Sequence, residues 1–139
     1  MTIQEIQDEI VDEFSMFEDW MQRYEYIIDL GKSLPLIDEQ FKTEDNIIKG
    51  CQSKVWVHAE KQGEKVVFTA DSDAILTKGI IAILIRAFSN QKAADILEAN
   101  TDFIDKIGLK EHLSPTRANG LVWMLKKIKM YALAFNAKN

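Results

Sequence analysis

Apolar residues at Ile3, Ile6, Ile10 and Phe14 recur at three- and four-residue spacing, which predicts a helix over residues 3–14 with one buried face. A second helical stretch over 17–30 carries Trp20, Met21, Tyr24, Ile27 and Ile28, with Gly31 as its expected stop. Pro35 opens an irregular segment that runs through Gly50. Residues 55–59 and 65–70 are rich in valine and aromatic side chains and read as strands. Gln62-Gly63 between them suggests an antiparallel hairpin. The run Asp71-Ser72-Asp73 offers cap side chains for a helix over 73–88. That helix is apolar nearly all round, which places it at the centre of the fold. Short helices are expected over 92–99 and 101–107. The last helix starts at Ser114-Pro115, a cap followed by proline in the first turn. Leu121, Met124, Leu125, Ile128, Tyr131, Ala132 and Phe135 form its apolar set. Helices, a small antiparallel sheet and more helices make an α+β domain, with helices packed on a small curved sheet and residues 1–139 forming one unit.

Composition narrows the function classes. A chain of 139 residues is long enough to bury a core, and 47% apolar with 28% charged residues reads as soluble and globular rather than disordered. The most apolar stretch, 80–88, is too short to cross a membrane, and charge stands in or beside it at Arg86 and Lys78. A formal net charge of −5 argues against nucleic acid or an anionic membrane as partner. Lys126, Lys127 and Lys129 alternate with core positions and read as a solvated helix face. The opening Met1-Thr2-Ile3-Gln4-Glu5 lacks the basic-then-apolar start of a secretory signal, so the expected location is the cytoplasm.

The chemistry concentrates at the one cysteine, Cys51. A single thiol forms no internal disulfide and no cysteine-rich metal site. It is either an inert buried side chain or a reactive sulfur. Gly50 permits a sharp turn just before it, polar Gln52 and Ser53 follow, and the apolar run begins only at Val55, so a loop presents the thiol. Nucleophilicity near neutral pH needs a nearby cation, dipole or backbone donor. Lys49 and Lys54 are close in sequence, and Arg117 and His112 are further candidates. A Cys–His hydrolase arrangement would have only His58 or His112 as base. No cysteines or histidines stand at ligand spacing, so no metal site is expected, and an iron–sulfur cluster bound by one chain wants several thiolates.

Several blocks together resemble the SufE family of cysteine desulfuration proteins. They are Tyr26-Ile27-Ile28-Asp29-Leu30-Gly31 with Leu34-Pro35; Asn46 through Ser53 with Val55-Trp56; Ala70-Asp71-Ser72-Asp73-Ala74 with Lys78-Gly79 and Ala82; and His112-Leu113-Ser114-Pro115 with Arg117, Asn119, Gly120 and Leu121. The resemblance spans about residues 20–135 in order. It implies a fold like that of the NifU-type scaffold proteins. It also implies a sulfur acceptor of iron–sulfur cluster assembly. In that role Cys51 takes sulfane sulfur from a pyridoxal-phosphate-dependent desulfurase of the SufS or CsdA type, stimulates that enzyme, and delivers the sulfur to a scaffold complex of the SufBCD type. The implied chain binds no cofactor of its own, the pyridoxal phosphate belonging to the partner, and acts as a sulfurtransferase-like acceptor rather than a stand-alone enzyme.

By the same resemblance Lys49, Gly50, Gln52, Ser53, Asp73, Lys78 and Arg117 are candidates for loop support or partner docking, with Gly50 part of a hinge. The Cys51 loop is expected to tuck its sulfur toward apolar residues and swing out on docking. Two other readings remain: a non-catalytic adaptor in which Cys51 is inert, and a family branch that feeds another acceptor such as tRNA thiolation. Gly79, inside the central helix, is expected to serve close packing.

Overall fold

The computed structural model describes residues 1–51 and 53–137. Helix α1 (Ile3–Ser15) starts with a reciprocal cap: the Thr2 hydroxyl accepts from the Glu5 N–H at 3.1 Å, and the Glu5 carboxylate accepts from the Thr2 N–H at 2.9 Å. Two N–H groups that the helix cannot satisfy are thereby paired. Ile3, Ile10 and Phe14 are buried, as their spacing predicts. Helix α2 (Trp20–Gly31) begins later than residue 17 because the Asp19 carboxylate accepts from the Gln22 N–H at 2.8 Å and sets the first turn.

Gly31 is the last residue of α2, as expected, but it does not end the helix through a left-handed turn. The backbone stays right-handed into Lys32 (φ −68°), and the glycine serves close approach instead. A Cβ on Gly31 would lie 3.0 Å from the Gly79 nitrogen, and one on Gly79 would lie 2.1 Å from the Ile27 carbonyl oxygen. Helix α2 therefore meets α3 (Ile75–Phe88) backbone to backbone.

Strands β1 (Val55–Gln62) and β2 (Lys65–Ser72) form the expected antiparallel hairpin, turning at Gly63 with φ +64°. Val57 pairs with Ala70 and Ala59 with Phe68. Alternation sends Val55, Val57, Ala59, Val66, Phe68 and Ala70 into the core. A third strand, β3 (Gln91–Lys92), pairs with Val66 and Lys65 on the far side of β2. Two residues are too few to show alternation, so the pattern could not announce it. Helix α3 packs against β2 and touches α1 and α2, with ten of its residues buried.

The predicted cap of α3 is a correction. Strand β2 runs on to Ser72, the helix starts at Ile75, and Ala74 precedes it without a side-chain cap. The carboxylate of Asp73 instead accepts from the Lys54 N–H at 3.0 Å. Short helices α4 (Ala93–Glu98), α5 (Asp102–Lys106) and α6 (Leu109–His112) lead to α7 (Pro115–Ala137). The Ser114 hydroxyl accepts from the Arg117 N–H at 3.3 Å, the expected cap. Leu121, Met124, Ile128 and Ala132 face the core.

Lys129 departs from the solvated face assigned to it. Its ammonium is partly buried and donates to the carbonyls of Ile96, Leu97 and Ala99, closing the C-terminal end of α4. Burial pulls its pKa down. The whole is an α+β fold, helices around a three-stranded antiparallel sheet in the order β1-β2-β3. Among the described residues no helix is long and apolar enough to cross a membrane.

Candidate functional site

Cys51 sits on a short loop with a fixed stem. Ile47 bridges to Trp56, and the Ile48 N–H donates to the Val55 carbonyl at 2.8 Å. Residues 49–51, 53 and 54 lie outside the strands. On the entering side, the Asn46 amide donates to the Phe41 carbonyl at 2.7 Å, and the Tyr131 hydroxyl lies 2.6 Å from Asn46 Oδ1 and 3.0 Å from the Val57 carbonyl. On the leaving side Lys54 is held three ways. Its N–H meets Asp73, and its carbonyl accepts from the Ser72 hydroxyl at 2.8 Å and the Asp73 N–H at 3.2 Å.

Between these anchors Gly50 adopts φ +94°, a conformation that L side chains rarely take. The space beside it is also filled: a Cβ on Gly50 would stand 2.4 Å from Cδ1 of Trp123 on α7. The turn aims the cysteine at the first half of α7. Its Sγ lies 3.7 Å from the Gly120 carbonyl, within reach of a weak S–H donation. A Cβ on Gly120 would come to 3.1 Å from the sulfur, so a side chain there would crowd it out.

Ser53, Thr77, Ile80, Thr116, Arg117 and Met124 complete the cleft, whose free volume of about 20 Å³ holds little more than a water molecule. Cys51 is half-buried, and burial pushes its thiol above the ordinary cysteine range, so the resting group is S–H rather than thiolate.

The candidates fall into three groups. Cys51, Ser53 and Arg117 meet at the cleft, with Arg117 exposed on its rim. Gly50 and Asp73 shape the loop from either side. Lys49 and Lys78 go elsewhere: Lys49 lines a separate groove along α7, and the Lys78 ammonium lies 3.4 Å from the Asp71 carboxylate, which also holds Lys42 at 2.9 Å. Gln52 lies outside the described residues.

The histidines do not reach the thiol. His58 stacks on Phe41 at 3.8 Å and pairs with Glu60, while His112 stacks on Trp20 at 3.8 Å with Nδ1 3.0 Å from the Gly108 carbonyl. A Cys–His catalytic pair is thus not assembled. Sequence reasoning missed Trp123, Thr77, Ile80 and Thr116 as site residues. The signal was present in part: Thr116, Gly120 and Met124 stand four apart on one helix face.

Comparison with known proteins agrees with this geometry. The model of the SufE family, described as an Fe–S metabolism associated domain, matches residues 8–132. An uncharacterized SufE-like protein of Rhizobium meliloti is 42% identical over 130 residues, covering 90% of this chain and 93% of the relative. The SufE-like protein 1 of Arabidopsis thaliana, chloroplastic/mitochondrial, is also 42% identical over 131 residues; the match covers 94% of this chain but 35% of that longer protein. The solution structure of a hypothetical protein from Thermus thermophilus superposes with a TM-score of 0.77, covers 93% of this chain and 94% of its own, and is 20% identical, which speaks to the fold alone. With the family match running through the strands, the Cys51 loop and most of α7, the chain belongs to the SufE family of Fe–S metabolism.

Proposed function

We propose that the protein is a persulfide carrier. Cys51 accepts sulfane sulfur from a pyridoxal-phosphate-dependent cysteine desulfurase and passes it to an iron–sulfur cluster scaffold. The observation that carries this reading is the position of the thiol, on a loop fixed at both ends and seated in a cleft with almost no spare room.

The transfer needs no metal. The Cys51 thiol loses its proton, and the thiolate attacks the outer sulfur of the desulfurase persulfide. A bond forms between Cys51 Sγ and that sulfur, the sulfur–sulfur bond on the desulfurase breaks, and the desulfurase cysteine leaves as thiolate. It takes up a proton in turn, and there is no net oxidation. Delivery repeats the exchange toward the scaffold.

The resting geometry suppresses the first step, because a buried thiol is a poor source of thiolate. Docking has to draw Cys51 away from Gly120. Arg117, exposed on the cleft rim, would favour the thiolate as the sulfur leaves. The fixed stem lets residues 49–51 move while the sheet stays in register.

The test is desulfurase turnover with cysteine as substrate. Wild type should raise it, and Cys51→Ser should abolish that rise while still binding. Equal stimulation by Cys51→Ser would remove the carrier role and leave an adaptor.

A further inference from the structure

Helix α7 has a second apolar face that the described residues cover only in part. Trp123, Met130 and Leu133 are 46%, 63% and 59% exposed, and with Lys126 they stand at i, i+3, i+7 and i+10 along one stripe. The stripe is about 15 Å long at the helical rise. It forms one wall of a groove of about 850 Å³, with Ile47, Ile48 and Leu97 opposite. Exposed tryptophan and methionine on one helix face are the composition of an interface centre.

The groove is also cationic in an acidic chain. Lys49, Lys110, Lys126 and Lys127 line it against Glu44 and Asp45, the Lys127 ammonium resting on the Asp45 carbonyl at 2.8 Å, while the formal net charge of the protein is −5. Lys126 lies over the Trp123 ring at 4.5 Å, so cation and apolar anchor form one surface. An occupant must therefore bring apolar side chains at helical spacing and carboxylates beside them.

The groove and the thiol share Trp123. The same indole that tops the stripe fills the space beside Gly50, one residue from Cys51. Pressing a helix onto Trp123 disturbs the packing that keeps the sulfur in its cleft. The partner that meets the sheltered, sulfur-free thiol is the sulfur donor.

We propose that this groove docks an acidic amphipathic helix of the desulfurase, and that the contact at Trp123 releases the Cys51 loop. This rests on the carrier reading. The test is titration calorimetry with pyridoxal-phosphate-loaded desulfurase, against wild type, Lys110→Glu/Lys126→Glu and Met130→Ser/Leu133→Ser. All four positions lie at the surface, so the variants should keep the wild-type circular dichroism and melting temperature.

The charge-reversed variant should bind at least tenfold more weakly at about 0.1 M salt, with the gap narrowing at high salt. The apolar variant should lose several-fold regardless of salt. In the free protein, Trp123→Ala should alkylate at Cys51 several-fold faster than wild type. If wild type binds and both groove variants match it within twofold, the groove proposal is wrong and the carrier reading stands. If wild type fails to bind, both fall. Unchanged alkylation in Trp123→Ala would overturn the coupling to the loop.

Discussion

At the scale of single residues, the missing side chain at Gly120 decides how deep the sulfur sits. Gly120→Ala places a methyl 3.1 Å from Sγ, and the thiol must move outward. Cys51 in that variant should react with iodoacetamide several-fold faster at pH 8, and an unchanged rate would mean that the seat does not control access. The raised thiol pKa gives a second reading of the same seat. Burial moves the midpoint of thiol ionisation upward, so the folded protein should show its alkylation midpoint at higher pH than the urea-unfolded chain, whose thiol titrates near the ordinary cysteine value of about 8.5. Coincident midpoints would contradict a sheltered resting state. Cys51 itself was legible because it is the single thiol and follows a glycine. Trp123 was not, because its importance comes from touching Gly50 across the fold, which no local pattern records.

Elements were legible where one periodicity governs. Ile3, Ile10 and Phe14 announce α1, and the alternating valines announce β1 and β2. Boundaries failed where a polar side chain had two possible employers. Asp73 looks like a helix cap, yet its carboxylate holds the Lys54 N–H, because a loop that leaves the sheet needs its own donors satisfied. Lys129 looks solvated, yet a long aliphatic stem lets it reach the carbonyl end of α4. The crossing of α2 and α3 makes the sharpest prediction at this scale. In Gly79→Ala the new methyl would sit 2.1 Å from the Ile27 carbonyl oxygen, a rigid backbone atom. Thermal or urea unfolding should show a loss of about 1–3 kcal/mol, the ordinary range for overpacking. A variant as stable as wild type would mean that the helices separate freely.

Across the whole molecule, charge is divided by face. Lysines collect along the groove of α7, while acidic α1 is tied to the core helix through Arg86, whose guanidinium holds Glu13 at 2.5 Å and Glu9 at 2.7 Å. The hydrogen bond from Arg86, opposed by partial burial and aided by Tyr26, keeps the Glu13 carboxyl below the usual carboxylate range. A depressed folded pKa stabilises the protein above the unfolded value, and that stabilisation fades as pH falls through the folded one. Glu13→Gln should therefore melt about 2–4 °C below wild type at pH 7, the shift for roughly 1 kcal/mol in a chain of this size. The gap should close on acidification below about pH 4. A gap constant from pH 7 to pH 3 would show that the pairing is not ionic in its effect. Net charge alone, read from composition, hid this segregation, since a sum carries no information about which face each charge occupies.

The carrier claim itself is most directly tested by intact mass spectrometry without reductant. The protein is incubated with a desulfurase, pyridoxal phosphate and cysteine, beside a Cys51→Ser control. The account predicts a gain of one sulfur atom on wild type, absent from the control and removed by added thiol. No gain with a desulfurase shown to bind would contradict it.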